Sequence, residues 1–349
     1  MTKMDTSKDG INRQYNHCFD FIKGIACVCV VFMHCEFPGI LGTAVQAVSR
    51  FCVPFFFMIA GYYSYYCKGE GQYNACRKIT HIAKITICAT LFDLFVTVAL
   101  CMIFGGQLSF PHTKNIVNWL VFNQPVLISG HLWFLFALLY DYILFSLADR
   151  LKLTTVAIGM IPCLILAYIA LAQGVHLVGI KLPNMIYRNF LIEGFPLFMG
   201  GYWLHLNSAK VTAKFSDRWL LFLFCASSIA CLLERMALGR DFGVNIATFP
   251  QLTSLFILGM KHPEKFDSSA LGWMGKRLSM FVYVLHIFVW RKLVNRIYSI
   301  VHISKNPLAL YLKPIVVVVV TIVFSYVIVF CMDRFMHKRG KIQETIEKS

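Results

Sequence analysis

The sequence predicts an all-α fold, a polytopic membrane bundle of about ten transmembrane helices with both termini in the cytoplasm. Three observations indicate this fold class. Of the 349 residues, 58% are hydrophobic and only 14% are charged, whereas about a quarter of a soluble domain is charged. Aromatic residues make up 15% of the chain and include 31 Phe. The cations lie mainly in loops between apolar segments.

Ten segments are apolar enough to cross a bilayer, which takes about 20 residues per helix. They are 18–37, 48–66, 83–104, 131–149, 155–173, 189–206, 219–238, 246–261, 278–297 and 314–332. The stretch 114–129 is predicted to be either an interfacial or re-entrant piece or an additional span that would change the count. No internal repeat and no low-complexity segment is visible in the sequence.

The distribution of Lys and Arg orients this bundle. With the N-terminus inside, 21 of the 33 cations fall on the cytoplasmic side and ten on the outer side, an asymmetry typical of membrane proteins. The net charge of +16 would suggest nucleic acid in a soluble protein, but here it reflects topology, so no nucleic-acid partner is expected. The segment 291–313 carries five outer cations. Either they face a bound anion or acidic headgroups, or the ninth span is misplaced.

Neither a cleavable leader nor a metal site is expected. Residues 1–17 are polar, and no small-residue cleavage site follows the first apolar run. The thirteen Cys are scattered without a CxxC pair or a Cys/His metal spacing. They are expected to be free thiols that pack as small apolar residues.

Ionisable residues share one face of the first apolar helix. Lys23 and His34 are eleven residues apart, roughly 16 Å along a helix axis, and Asp20 lies one turn before Lys23. Such groups are costly inside a membrane and are usually functional. Arg50, at the start of the second span, is expected at the depth of His34. Taken singly, Lys23 and Arg50 also fit cations that extend to the headgroups, and His34 fits an interhelical hydrogen bond.

Further polar residues lie at the outer ends of later spans or inside these spans. His131 and Trp133 open the fourth span, Arg188 directly precedes the sixth, Glu193 lies inside the sixth, and His286 lies in the middle of the ninth. A carboxylate or an imidazole at such a depth must pair or line a cavity. Trp133 also fits an interfacial anchor.

A cationic cluster precedes the third span. Arg77, Lys78, His81 and Lys84, called here the 77–84 cluster, would lie on adjoining sides of a helix that starts near Asn74. The cluster would bind an anionic cofactor such as a nucleotide phosphate. Alternatively, it only marks the cytoplasmic side.

Four runs of this chain resemble the membrane-bound acyltransferase-3 family, whose members include bacterial O-acetyltransferases of surface polysaccharides. The runs are FDFIKGIACVCVVFMH from Phe19, SRFCVPFFFMIAGYY from Ser49, GHLWFLFALL from Gly130 and SMFVYVLHIFV from Ser279. The first two helices carry the specific part. The resemblance implies an acyltransferase-3-like transmembrane domain at 18–335, between a cytoplasmic segment 1–17 and a cytoplasmic tail 336–349.

The resemblance also implies an activity, the transfer of an acyl group, usually acetyl, from cytoplasmic acyl-CoA to a hydroxyl of an extracytoplasmic glycan. The family signature of an arginine, ten residues and a histidine is matched by His34, with Lys23 in place of the arginine. Lysine keeps the positive charge of the arginine but lacks the planar guanidinium, which can donate two parallel hydrogen bonds to one anion. The arginine before the family's VPxFF run corresponds to Arg50. Ala60 stands where a serine is frequent, and the 77–84 cluster meets the family's double-arginine motif only in part.

Acyl transfer needs a base for the acceptor hydroxyl and a donor for the oxyanion. The expected catalytic set is His34 as the base, Arg50 as the oxyanion or positioning group, and Asp20. Acetyl-CoA would bind through Lys23, Arg77, Lys78 and Lys84. The acceptor would approach from outside and contact His131, Trp133, Arg188, Glu193 and His286. Direct transfer and an acetyl-histidine intermediate both fit this arrangement.

Two other function classes stay open at this point. A non-catalytic transporter of a small molecule or a lipid-linked glycan would also explain the intramembrane charges. A structural assembly subunit would tolerate Ala at Lys23, His34 and Arg50 together. As an enzyme, the chain is expected in the bacterial inner membrane, among membrane lipids, with a glycan or lipid-linked saccharide as its partner. Homo-oligomerisation is left open.

Overall fold

The computed structural model describes residues 15–65, 72–104, 113–125 and 129–346, apart from the side chains of 72–74, 104 and 336–346. Over this part of the chain the fold is all-helical, as predicted, with no strand. The α-helices are α1 (His17–His34), α2 (Gly39–Ser49), α3 (Cys52–Tyr62), α4 (Gln72–Phe104), α5 (Thr113–Phe122), α6 (Trp133–Arg150), α7 (Thr154–Gly159), α8 (Ile161–Ile169), α9 (Val175–Leu177), α10 (Phe195–Leu206), α11 (Ser208–Lys214), α12 (Asp217–Leu238), α13 (Thr248–Lys261), α14 (Ala270–Arg277), α15 (Ser279–Ile287), α16 (Asn295–Ile300) and α17 (Pro307–Ile346). Most of the predicted segment 1–17 lies outside the described residues.

Seven helical segments within the described residues are long and apolar enough to cross a membrane. They are His17–His34, Gly39–Tyr62, Ala75–Ile103, Gly130–Arg150, Thr154–Leu177, Asp217–Leu238 and Pro307–Phe335. Ala270–Arg277 and Ser279–Ile300, bent by 74° at their break, make an eighth if they form one span. The predicted sixth and eighth spans correspond to shorter helical segments, 190–206 and Thr248–Lys261. The count of ten and the cytoplasmic placement of both termini therefore stay predictions.

The stretch 114–129 does not contain a further membrane-crossing helix among its described residues. Its helix, α5, has 10 residues and is about 15 Å long at 1.5 Å per residue. That is about half of the hydrocarbon core. Of the two predictions for this stretch, the interfacial or re-entrant piece is the one that fits α5.

Two helix crossings depend on glycine. Gly24 of α1 faces the backbone of α14, and Gly275 of α14 faces the backbone of α1, so closely that a Cβ at either position would collide with main-chain atoms. Gly61 and Gly201 bring α3 and α10 together in the same way. Small residues allow such close approach between membrane helices. α1 is thereby fixed against α14, and α3 against α10.

Aromatic packing forms the interior, and large apolar side chains cover the outside. Phe19 of α1 contacts Phe256 and Phe55, with ring centroids 4.7 and 6.0 Å apart. Phe95 and Met102 of α4 are more than 70% exposed. Exposed side chains of this size are expected on a surface that faces lipid rather than water. The helix faces are thus sorted into a buried aromatic core and a lipid-facing exterior.

Three segments among the described residues are π-helical, namely Ala170–Gly174, Phe190–Gly194 and Phe288–Val294. A π-turn is costlier than an α-turn and is frequently found at functional sites. The second segment contains Glu193 and the third contains Arg291, and both lie beside the site described next.

Candidate active site

Three histidines that are far apart in sequence meet at one end of the bundle. His34 is the last residue of α1, His131 lies in the short 3-10 turn before α6, and His286 lies in α15. The ring centroids of His34 and His286 are 5.0 Å apart, and those of His131 and His286 are 4.9 Å apart. We call these residues the histidine cluster and this end of the bundle the histidine end.

Backbone carbonyls fix two of the three imidazoles. His286 Nδ1 lies 2.7 Å from the carbonyl oxygen of Tyr283, and His131 Nε2 lies 3.3 Å from that of Val284. Because a carbonyl oxygen only accepts hydrogen bonds, these nitrogens carry the hydrogen, and the other nitrogen of each neutral ring has a free lone pair. His286 Nε2 and His131 Nδ1 are buried and have no hydrogen-bond partner in the described part of the chain. Both nitrogens therefore have a lone pair that no described residue uses.

His34 differs from the other two histidines. Its side chain is partly exposed, whereas His131 and His286 are buried. Its ring contacts His286, and the structure gives the His34 imidazole no hydrogen bond to another described residue. His34 is thus the member of the cluster that a ligand reaches first.

An ion pair adjoins the histidine cluster. Arg50 lies at the break between α2 and α3, is buried, and donates from Nη2 to Asp241 in the loop before α13. The other carboxylate oxygen of Asp241 accepts from the backbone N–H of Gly243 at 3.0 Å. Arg50 lies within electrostatic range of His34. Since a guanidinium has five N–H groups, Arg50 keeps donors for a ligand while Asp241 holds it in place.

A second arginine, Arg188, lies within electrostatic range of His34 and of a buried carboxylate. The Arg188 guanidinium lies 4.7 Å from the ring centroid of Trp133, and its Nε has no partner among the described residues. Glu193 is buried in the second π-helical segment, its Oε2 is likewise without a partner, and it interacts electrostatically with Arg188 and Arg50. Asn189 caps this segment, because its Oδ1 accepts from the N–H groups of Leu191 and Ile192.

The histidine end therefore combines unused donors with unused acceptors. Two imidazole nitrogens and one carboxylate oxygen accept, and the N–H of Arg188 donates. Buried polar atoms in a finished structure are nearly always paired, so several orphans in one place call for an explanation. A bound hydroxyl group, which both donates and accepts, would satisfy such a set.

The structure does not bring Asp20 to His34. Both lie in α1, but they are fourteen residues apart, about 21 Å along the helix. Asp20 instead forms an ion pair with Lys23 and accepts a hydrogen bond from Tyr15. Partial burial, and then the contact with Asp20, raises the pKa of Tyr15 above its usual value. The prediction that Asp20 acts beside His34 thus has no support in the geometry.

The cations expected to bind CoA are not gathered into one pocket by the described residues. Arg77, His81 and Lys84 are exposed along α4. Lys78 turns inward, where its Nζ donates to the carbonyl oxygen of Tyr63 at 2.6 Å. Lys23 is neutralised by Asp20. Residues 66–71 of this loop, and the side chains up to 74, lie outside the described residues.

Sequence reasoning missed two acidic residues near the site. Asp241 is the single acid in the predicted outer loops, and this isolation among cations was the available signal. Asp141 lies in α6 within the apolar run LLYDYILF. It is fully buried, and neither carboxylate oxygen has a partner in the described part of the chain. A Cβ on Gly194 would lie 2.5 Å from Asp141 Oδ2, so Asp141 fills the space beside Glu193.

The comparison with family models agrees with the membrane-bound architecture. The acyltransferase-3 model, described as an acyltransferase domain, matches residues 16–334. Neither a curated protein nor a solved structure shows a significant match.

Proposed function

Because the chain belongs to the acyltransferase-3 family, we propose that it is an integral membrane O-acyltransferase that moves an acetyl group from cytoplasmic acetyl-CoA to a hydroxyl of a cell-surface or lipid-linked glycan. Family membership supports the acyltransferase activity, and the donor, the acyl group and the acceptor are the proposal. The observation that carries it is the histidine cluster, whose unpartnered nitrogens lie beside two arginines.

In the proposed reaction His34 accepts the proton of the acceptor hydroxyl while the oxygen attacks the thioester carbonyl carbon. A C–O bond forms, the C–S bond breaks, and the sulfur of CoA leaves and takes up a proton. One proton leaves the hydroxyl and one joins the sulfur, so the reaction balances. The partial exposure of His34 supports its choice over His131 and His286, which are buried behind it.

The two arginines are proposed to stabilise the oxyanion that forms on the carbonyl oxygen. Arg188 has a free N–H, and Arg50 keeps N–H groups beyond the one that contacts Asp241. Pre-positioned donors of this kind typically contribute about 10²- to 10³-fold in rate. Their fixed positions, on the Trp133 ring and on Asp241, support this role.

The donor is proposed to enter from the opposite end of the bundle. Arg77 and Lys84 are exposed there and would contact the phosphates of CoA, and Lys78 would lie at the mouth of the path. The charge of Lys23 is balanced by Asp20, so Lys23 would attract the phosphates less than its position in the sequence suggests. The extended pantetheine arm would then carry the thioester towards His34.

The test compares histidine variants of the purified protein in lipid vesicles supplied with labelled acetyl-CoA and a glycan acceptor. Replacing the base should lower transfer by about 10²- to 10⁴-fold, so His34→Gln should abolish labelling of the glycan at unchanged protein level. The matched control is His302→Asn, in an exposed loop residue with φ +60°, a backbone conformation that Asn tolerates. This variant should retain transfer within about twofold.

Full transfer by His34→Gln would exclude His34 as the base. Movement of unmodified substrate across the vesicle membrane by the unaltered protein, with no acetyl product, would support the transporter instead. Mass spectrometry of surface glycans from cells with and without the chain identifies the acyl group and the acceptor.

The proposed location is the bacterial inner membrane, with both termini in the cytoplasm. Reporter fusions at the two termini test it, since a reporter active only in the cytoplasm should be active at both ends. Activity of a reporter that needs export would reverse the assigned orientation.

A further inference from the structure

The geometry points to a binding site for the phosphate of a lipid-linked acceptor, in the cavity between α4 and the helical segment 288–300. This inference rests on the proposed function and narrows its acceptor to a glycan carried on a lipid phosphate or diphosphate. The cavity has a volume of about 460 Å³. Its lining includes Arg291, Lys292, Arg296, Asn295, Thr97 and Ser299.

The cavity concentrates positive charge, since three of its lining residues are cations. Arg291 and Lys292 form no ion pair with any described residue, and no acidic residue is part of the lining. The Arg291 guanidinium lies 5.0 Å from the ring centroid of Trp290, which helps to orient it. Neighbouring cations repel one another unless an anion lies between them. A phosphate has more acceptor oxygens than a carboxylate, so it can accept charge-assisted hydrogen bonds from several of these cations at once.

The lining also offers groups that suit a sugar. The Oδ1 of Asn295 is buried and has no partner in the described part of the chain. Thr97 and Ser299 add hydroxyl groups. An amide and hydroxyls both donate and accept, so they match sugar hydroxyls next to a phosphate. The cavity is therefore suited to the junction between a phosphate and a saccharide.

The surroundings of the cavity favour a ligand with a lipid tail. Met102 of α4 is 74% exposed, and Ile300 of α16 is 70% exposed. Both belong to the helices that line the cavity and are expected to face hydrocarbon. A charged head in the cavity and an apolar chain along these helices would satisfy both surfaces at once, which a soluble phosphate would not.

The cavity lies close to the histidine cluster. Arg291 follows His286 by five residues, roughly 7 Å along a helix, and lies within electrostatic range of His34 and His131. A phosphate held by Arg291 would place the sugar next to it beside these histidines. The acylated hydroxyl is therefore inferred to belong to the sugar nearest the lipid phosphate.

The experiment measures binding to the full-length protein in detergent by native mass spectrometry. The probes are farnesyl diphosphate as the lipid diphosphate, phosphatidylglycerol as a membrane headgroup, and inorganic pyrophosphate. The Kd for farnesyl diphosphate should rise by about 10- to 100-fold in Arg291→Gln/Lys292→Gln, because two charge-assisted contacts are lost. The matched control, Lys181→Gln/Lys305→Gln, removes two exposed cations outside the cavity and should leave this Kd unchanged.

The other outcomes overturn the inference in distinct ways. Equal binding of phosphatidylglycerol would make the cavity a general headgroup site, and equal binding of pyrophosphate would remove the need for a lipid. An unchanged Kd in the double variant of Arg291 and Lys292 would exclude the cavity itself. Melting temperatures of both double variants show whether either one has lost its fold.

A second measurement separates this inference from the proposed function. In the Arg291→Gln/Lys292→Gln variant the KM for a lipid diphosphate sugar should rise by a larger factor than the KM for a phosphate-free sugar, because only the first acceptor presents a phosphate to the two cations. Loss of both activities in the double variant would contradict a role in acceptor binding alone. If the unaltered protein transfers no acetyl group to either acceptor while the binding result holds, only the proposed function fails.

Discussion

The two ends of the helical bundle treat their ionisable residues in opposite ways. We call the end opposite the histidines the paired end. Three ion pairs are found there: Lys23 with Asp20, Lys261 with Asp217 at 2.6 Å, and Arg277 with Asp333. At the histidine end, Arg50 forms an ion pair with Asp241. The orphaned atoms there include His131 Nδ1, His286 Nε2, Arg188 Nε and Glu193 Oε2, none of which has a hydrogen-bond partner among the described residues.

This contrast distinguishes groups that stabilise the fold from groups that are free to bind. An ion pair that is already formed must be broken before a ligand can use it, and that costs free energy. A buried polar atom without a partner has already lost its hydrogen bonds to water when the protein folds. A ligand that pairs with this atom therefore gains a hydrogen bond without a further desolvation cost for the protein atom. The comparison therefore predicts large effects on transfer at the histidine end and effects on stability at the paired end.

The largest difference in transfer rate is expected between two single variants, each of which replaces one histidine at one end of the bundle. His286→Asn keeps a side-chain donor for the carbonyl of Tyr283 but removes the free Nε2. The bound acceptor then loses one hydrogen bond, and transfer should fall by about 10- to 100-fold. His262→Asn at the paired end removes a contact with Asp217 of 2.6 Å and should change transfer by less than about twofold. The measurement is the rate of CoA thiol release. An equal loss of transfer rate in both variants would contradict the proposed difference between the two ends.

A smaller effect is expected from Asp241, the partner of Arg50. Asp241→Asn leaves the buried Arg50 charge without its counter-ion, which should cost about 1–3 kcal/mol of stability and about tenfold or more in transfer. Thermal unfolding and kcat are measured on the same sample. A stable variant with full activity would mean that Asp241 does not hold Arg50 in its working position.

Asp20 and Lys23 test the paired end. Asp20→Asn removes the negative charge that pairs with Lys23 and replaces one of the two acceptor oxygens used by Lys23 and Tyr15 with an NH2 donor. We expect a loss of about 1–3 kcal/mol in unfolding free energy. Lys23→Met should cost less, since Asp20 keeps its hydrogen bond from Tyr15. Denaturant unfolding of the two variants checks this order. A loss of transfer without a loss of stability would return Asp20 to the catalytic set.

The smallest effect is expected from the exposed pair of Arg277 and Asp333. Their side chains are 40% and 47% exposed, so water screens the interaction. A double-mutant cycle with Arg277→Gln and Asp333→Asn should give a coupling energy below about 1 kcal/mol. A value several times larger would show that this pair fastens α17 to the bundle.

Much of the histidine end was predictable from the sequence, because intramembrane polar residues are conspicuous in apolar runs. His34, Arg50, His131, Arg188, Glu193 and His286 were each expected on this ground, and the structure brings them together. Asp20 was grouped with His34 because fourteen residues return to the same helix face. Helical periodicity gives the direction of a side chain, but two residues on one face can still lie about 21 Å apart.

Other features could not be deduced from hydropathy. The Arg50–Asp241 pair joins positions 191 residues apart, and a single chain contains no pattern that links them. The π-helical segments at Phe190–Gly194 and Phe288–Val294 have no sequence pattern that separates them from the α-helices around them. The 74° bend between α14 and α15 lies at the start of the predicted ninth span, 278–297, and hydropathy does not mark it.

The glycine contacts between α1 and α14 have a mechanical consequence for the histidine cluster. They clamp the two helices backbone to backbone, and the chain bends by 74° at the buried Leu278 before α15. His286 lies eight residues beyond this bend, on a lever arm of about 12 Å. A swing of about 5° would shift its ring by about 1 Å relative to His34, and a misplacement of that size can cost about 10²-fold in rate. The packing around Leu278 therefore sets how accurately the two imidazoles are aligned.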